Sequence, residues 1–196
     1  MFDHETAKKR CKYRLVILEG AQAVGKTTLA SYAMERFENG VVLRGIPTSR
    51  LLESFTEEQK WAESKRIMVS ASEDNDYRTA FFDRSIISLA AYRMRKYPSQ
   101  KDMYLCKAAE EIDTCLDKAR LLVVLLESSP ETCLQRKARN YSILESPLAD
   151  VQNEIDTYRA IINFLENRAY QTKRLNNENG LNDLKKQFIT VLQDND

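Results

Sequence analysis

One histidine, five glycines and four prolines stand in 196 residues, and each scarcity removes a class of explanation. The single histidine, His4, sits near the start of the chain, so a mechanism built on a histidine base is not expected. The glycines and prolines fall singly, with no internal repeat and no low-complexity linker. Long apolar runs are missing too: none approaches the roughly 20 residues needed to span a bilayer. The opening MFDHETAKKRCKYR carries charge of both signs and no apolar core, so it does not read as a signal peptide. Residues 1–12 are expected to form a flexible N-terminus. Cys11, Cys106, Cys115 and Cys133 are scattered and lack metal-ligand spacing, which predicts reduced thiols in a cytoplasmic protein. Neither sign of charge is in excess: 30 Lys+Arg against 29 Asp+Glu leave a formal +1. That balance gives no general reason to bind long nucleic acids and none to expect a membrane partner.

What is present is alternation. The length suits one domain, 1–196, with a substantial core. LVIL, Leu15–Leu18, reads as a short buried strand, and Lys26 to Phe37 as the helix after it. Val41–Leu43 and Ala80–Phe82 read as further strands, with a helix over Glu57–Ser72 between them. Ser88–Lys96 and Lys101–Lys118 repeat apolar residues at helical spacing. LLVVLL, Leu121–Leu126, is the most continuous apolar run and predicts a central parallel strand buried on both faces. Pro130 opens another helix at a favoured first-turn position. Asp150–Arg168 and Leu181–Gln193 are helical patterns, with a short strand near Thr172–Leu175. Together these predict an α/β, three-layer fold: a parallel sheet of about five strands flanked by helices.

Between the first strand and the first helix stands Gly20-Ala21-Gln22-Ala23-Val24-Gly25-Lys26-Thr27, a full match to G-x-x-x-x-G-K-[ST]. Glycine permits positive φ and lets backbone N–H groups approach phosphate oxygens. The helix start adds uncommitted donors, Thr28 among them, and the favourable dipole end for an anion. Lys26 would place a point charge on the β- and γ-phosphates, and the Thr27 hydroxyl could ligate Mg²⁺. Lysine, threonine and both flanking elements favour this reading over an ordinary glycine turn. It reads as the loop of a P-loop fold.

Two further groupings bear on where the phosphate goes. Asp83 closes the third strand, where open α/β sheets bind ligands. Its carboxylate could serve magnesium or take a substrate proton, and Arg84 could clamp a phosphoryl group. The plain alternative is an Asp–Arg pair capping the next helix. In SSPETCLQRKARN, Arg136, Lys137 and Arg139 bunch at a helix end and lead into NYSILESP. Alone, such a cluster reads as a solvated helix end suited to the dipole. Beside the glycine loop and Asp83 it reads as a helical lid, about 136–148, whose cations close over a transferring phosphoryl group.

LEGAQAVGKTTLA, DRSIISLAAY and SPETCLQRKAR, in that order, resemble the thymidylate kinase family and its relatives the deoxynucleoside kinases. The likeness covers roughly Leu15 to Arg168, including Glu19-Gly20 ahead of the loop and Ser88, Ala91 and Tyr92 after Asp83-Arg84. It implies a P-loop kinase fold and ATP-dependent phosphorylation of a (deoxy)nucleoside monophosphate, part of nucleotide biosynthesis. Lys26 and the loop would hold ATP, Thr27 and Asp83 would serve Mg²⁺, and Arg84 would bind the acceptor phosphate. The loop itself has no arginine, so Arg136 and Arg139 would supply the cation at the transferred group. Trp61 and Arg66 lie on the helix that faces the nucleobase in this family; Trp61 could equally be plain core. Relatives are often dimers, so a homodimer is an expectation, with Lys101–Lys118 as interface or core.

The sequence departs from the family at three places. Ser85 replaces the usual tyrosine or histidine and leans toward deoxynucleoside kinases, Ile46 replaces the glutamate before Pro47, and the span from the loop to Asp83 is short. A nucleoside acceptor needs a base at its 5′-hydroxyl, whereas a monophosphate arrives as an oxyanion. LRGIPTSR offers Arg44 and Arg50 but no acid, which tilts the expectation toward a monophosphate acceptor. The competing readings are a deoxynucleoside kinase and a non-catalytic P-loop module; a polynucleotide kinase is disfavoured by the charge balance.

Overall fold

Short apolar runs become strands wherever both of their faces can be covered. The computed structural model describes residues 10–44, 55–73, 78–115, 118–140 and 148–193. Its strands are β1 (Leu15–Glu19), β2 (Gly40–Arg44), β3 (Thr79–Asp83), β4 (Leu121–Glu127) and β5 (Thr172–Asn176). Between and after them come α1 (Lys26–Arg36), α2 (Glu57–Glu73), α3 (Ile86–Lys96), α4 (Lys101–Cys115), α5 (Pro130–Asn140), α6 (Leu148–Glu166) and α7 (Leu181–Gln193). All four strand pairings are parallel, in the order β2-β3-β1-β4-β5.

β4 shows why the sheet is central. Leu121, Val123 and Leu125 point into a core formed with α2, α3, α4 and α6. Leu122, Val124 and Leu126 point the other way, into a core with α1 and α7. Helices therefore cover both faces, giving the three layers expected of continuous apolar strands. On the second face Phe81 meets Phe37 and Phe188 with ring centroids 5.9 and 6.2 Å apart, an aromatic cluster joining α1, β3 and α7. Among the described residues no helix is long and apolar enough to cross a membrane.

The strand order places the site. From β1 the chain moves to one side of the sheet for β2 and β3, then crosses to the other side for β4 and β5. The order reverses at β1, so a crevice opens beyond its carboxyl end. The strands that meet there end in acids: Glu19, Asp83 and Glu127.

Several boundaries shift, each for a local reason. β1 runs one residue past the apolar run to Glu19, which is wholly buried. α3 starts at Ile86 rather than Ser88, because the Ser85 hydroxyl caps it by accepting from Ile87 N at 3.1 Å. α4 ends at Cys115 and residues 118–120 form a 3₁₀ turn, so the helix does not reach Lys118. α6 ends at Glu166 in a Schellman-type stop: Ala169, at φ 60°, donates to Glu166 O at 3.0 Å, and Tyr170 donates to Leu165 O at 3.2 Å. Of the N-terminal stretch, Cys11 packs half-buried against the second core instead of fraying, while residues 1–9 lie outside the described residues. The expected lid divides likewise: 136–140 are the last turn of α5, Leu148 begins α6, and 141–147 lie outside the described residues.

Candidate functional site

The glycine loop leaves β1 in conformations that side chains resist. Gly20 and Gly25 have φ of 138° and 104°, and Ala23 sits at 62°. A Cβ on Gly20 would lie 2.3 Å from the Leu126 carbonyl oxygen of β4, so only glycine lets the loop pass that strand. Asn177, after β5, braces the loop from behind: its buried amide donates to Val24 O at 2.8 Å. α1 then begins with no side-chain cap and no acid in its first turn, which leaves its N-terminal N–H groups for an anion.

Lys26, the first residue of α1, is buried. Its ammonium curls back to donate to Gly20 O and Ala21 O, each at 2.6 Å. Burial, then the nearby positive charge of Arg84, lowers its pKa to about 8, against the pull of Glu19, Glu154 and Asp83. The next residue, Thr27, donates its hydroxyl to Asp83 Oδ2 at 2.5 Å, tying α1 to the end of β3. Two hard oxygen ligands are thus side by side at the mouth of the crevice, the donor type that Mg²⁺ takes. Among the described residues no group of three or more His, Cys, Asp or Glu could hold a metal by itself.

Arg84 follows Asp83 with φ 74°, a left-handed conformation uncommon outside glycine. Its positive charge is near enough to act on Lys26, Glu19 and Tyr158. Beneath it, the Glu19 carboxylate accepts from Ser85 N at 2.8 Å, Ser85 Oγ at 2.8 Å and Ser88 Oγ at 2.5 Å. Burial pushes Glu19 upward in pKa while the two serines pull it down. The Tyr158 hydroxyl lies 3.2 Å from Ser88 Oγ, and burial raises it well above the usual phenol range.

Beside the loop a cleft of about 400 Å³ is lined by Gln22, Arg95, Cys133, Lys137, Asp150 and Glu154, among others. Glu154 spans it, accepting from Gln22 N at 3.4 Å and pairing with Arg95 at 3.7 Å. The volume falls within the range of small-molecule sites, roughly 300–1,000 Å³.

The expected site residues divide into two groups. Lys26, Thr27, Asp83 and Arg84 come together around the loop, and Arg44 ends β2 in register with Asp83. Thr28 is exposed on the first turn of α1. Arg136 is engaged elsewhere: it donates to Ser128 Oγ at 3.2 Å and to Asn177 O at 2.7 Å, joining α5 to the segment that braces the loop. Trp61 is core, 2% exposed, with the Lys107 ammonium 4.7 Å from its ring centroid. Arg66 is exposed and bonded to Glu63 of its own helix at 2.7 and 2.5 Å. Tyr92 faces outward under the Arg93 guanidinium. Arg50 and the side chain of Arg139 lie outside the described residues.

Three contributors carried no local signal strong enough to assign them. Glu154 and Tyr158 are spaced four apart on α6 and look like any amphipathic pair until α6 folds over the loop. Asn177 sits in a polar run, NNEN, where nothing marks one asparagine as buried. Glu19 did carry a signal, a lone acid closing an apolar strand, but without a partner to name. No protein-family model matches the chain, and no curated protein matches it at a significant level. The likeness to nucleotide kinases therefore rests on the motif residues and on what surrounds them.

Proposed function

We propose that this chain is a P-loop kinase, thymidylate kinase-like, that transfers the terminal phosphoryl group of ATP to a (deoxy)nucleoside monophosphate. The observation that carries the reading is the joined set Lys26–Thr27–Asp83: a buried ammonium on the loop, and a hydroxyl and carboxylate held together at the next position. An ordinary strand-to-helix turn has no use for a buried lysine whose ammonium is held by the loop carbonyls of Gly20 and Ala21. A triphosphate gives that ammonium a better partner than two neutral oxygens, because opposite charges attract strongly where water is excluded. Mg²⁺ would be held by Thr27 and Asp83, and when bound it supplies charge neutralisation between the β- and γ-phosphates. The loop N–H groups orient the triphosphate, and Arg84 holds the acceptor's anionic end near Lys26. The acceptor would enter the cleft beside Gln22, where Arg95 and Lys137 face Asp150 and Glu154. The expected lid cation remains with Arg139, since Arg136 is committed to Ser128 and Asn177.

One observation favours a second reading, a deoxynucleoside kinase. The cleft does contain an acid, Glu154, which the segment after β2 lacks, and a carboxylate there could take the proton of a 5′-hydroxyl. A coupled assay with ATP, Mg²⁺ and a panel of nucleosides and monophosphates decides between them. Turnover of monophosphates, with Glu154→Gln keeping most of it, supports the first reading. Turnover of nucleosides alone, lost in Glu154→Gln, replaces it with the second, and nucleotide uptake with no turnover of any acceptor leaves a non-catalytic binding module.

A further inference from the structure

The four residues before Glu19 in β1 are apolar and buried, and a fifth apolar residue would finish the strand as well. Nature of the strand does not require a carboxylate, so the reason for Glu19 must lie in what it holds. Three donors converge on it: Ser85 N and Ser85 Oγ from the turn between β3 and α3, and Ser88 Oγ from the first turn of α3. The turn between β3 and α3 contains Arg84 at φ 74°. A non-glycine residue stays in such a conformation only when its surroundings over-determine it. Here the bond from Ser85 N fixes the peptide immediately after Arg84, and Ser85 Oγ accepts from Ile87 N to start α3. Ser88 also meets the Tyr158 hydroxyl, which ties the arrangement to α6. The carboxylate is next to Gly20 in the chain, so the same residue joins the base of the loop to the base of the turn.

We infer that Glu19 is a positioning residue: through Ser85 and Ser88 it sets the turn that presents Arg84 beside Lys26. For turnover the inference rests on the kinase reading above; for the geometry of the turn it does not. Glu19 is wholly buried and accepts from Ser85 and Ser88, so it acts through the turn. Its removal degrades the alignment of the acceptor; because Glu19 also helps Lys26 keep its proton, triphosphate uptake is compared below neutral pH, where the ammonium stays charged.

The test compares wild type with Glu19→Gln, Glu19→Asp and Ser88→Ala in two measurements. Amide hydrogen exchange reads the turn directly. In Glu19→Gln, the amides of residues 85–88 should exchange at least roughly tenfold faster while those of β4 keep their protection. Steady-state kinetics at about pH 6, where Lys26 keeps its proton, read the consequence: kcat/KM for the acceptor falls roughly tenfold or more, well beyond any loss of ATP affinity. Ser88→Ala, which keeps the acid and removes one donor, should show a smaller loss of the same kind, and Glu19→Asp should recover part of it. Folded Glu19→Gln with wild-type exchange at 85–88 overturns the inference, as does faster exchange at the turn with unchanged acceptor kinetics. Exchange that accelerates equally across the whole sheet also overturns it, because Glu19 would then be ordinary scaffold. Should wild type transfer phosphate to no acceptor, the kinase reading fails by itself, and exchange at 85–88 still decides whether Glu19 sets the turn. If Glu19→Gln does not fold, Ser88→Ala carries the same two measurements.

Discussion

At the scale of single residues the site runs on charges kept out of water. Lys26 is the clearest case: burial leaves it titrating at about 8, so at neutral pH it is a charged group donating to two loop carbonyls. Binding a triphosphate requires the protonated form and would raise its pKa. Affinity should therefore be flat below pH 8 and fall as the pH rises above it. Stability of the unliganded protein should move the opposite way. The unfolded chain binds this proton up to the ordinary lysine range and the folded one does not, so the Lys26 contribution improves from pH 8 upward. Calorimetric affinity and urea midpoints measured from pH 7 to 9.5 check both signs. Lys26→Arg, which cannot lose its proton, should abolish the fall in affinity. Parallel declines of affinity and stability would remove Lys26 as the cause. A second residue-scale expectation concerns the Thr27–Asp83 link: Asp83→Asn should cut turnover roughly 10²-fold or more while metal-free ATP binding changes little. Equal losses in both would mean that Asp83 shapes the loop rather than serving the metal.

At the scale of elements the important contacts are backbone against backbone. Gly20 passes β4 so closely that Gly20→Ala sets a methyl 2.3 Å from Leu126 O at φ 138°. The loop cannot move away without breaking the brace from Asn177, so the substitution should cost about 2–4 kcal/mol. For a chain of this size that lowers Tm by roughly 4–16 °C, measurable by calorimetry. An unchanged Tm would show that the loop has another path. Legibility in the sequence ends at this scale. β4 and the glycine loop were readable because an apolar run and a glycine spacing each encode their own geometry. The end of α6 was not: its stop places Ala169 where glycine is usual, so no local signature marks it. The start of α3 was misplaced because the Ser85 cap also answers to Glu19, a partner 66 positions away. Trp61 illustrates the remaining ambiguity, since an aromatic on a helix reads the same whether it stacks on a ligand or fills a core. Only the packing of α2 against α3 and α4, which buries it, decides the matter.

At the scale of the molecule, two cores share one sheet, and the site lies where the strand order turns. The loop is therefore supported from both faces: Lys26 and Leu29 from α1 on one, Glu19 with Ser88 and Tyr158 on the other. The Phe37–Phe81–Phe188 cluster links α1 to α7 across that first face. Phe188→Ala should cost about 3–5 kcal/mol, as large-to-small changes in a packed core do. Because α7 follows directly on the Asn177 segment, the variant should also bind nucleotide more weakly, which a titration at 10 °C, where it remains folded, would show. Full affinity in a destabilised Phe188→Ala protein would mean the loop does not depend on that core.

The central claim is that the ammonium of Lys26 exchanges two loop carbonyls for the tail of a nucleoside triphosphate. Isothermal titration of the folded protein with ATP and Mg²⁺, beside Lys26→Ala, tests it most directly. The account predicts saturable one-to-one uptake by wild type and an affinity weaker by roughly 10²-fold in the variant, the scale of a lost charge-assisted contact in a partly dry site. No uptake of adenine or guanine triphosphate by folded wild type, or equal uptake by both proteins, would contradict it.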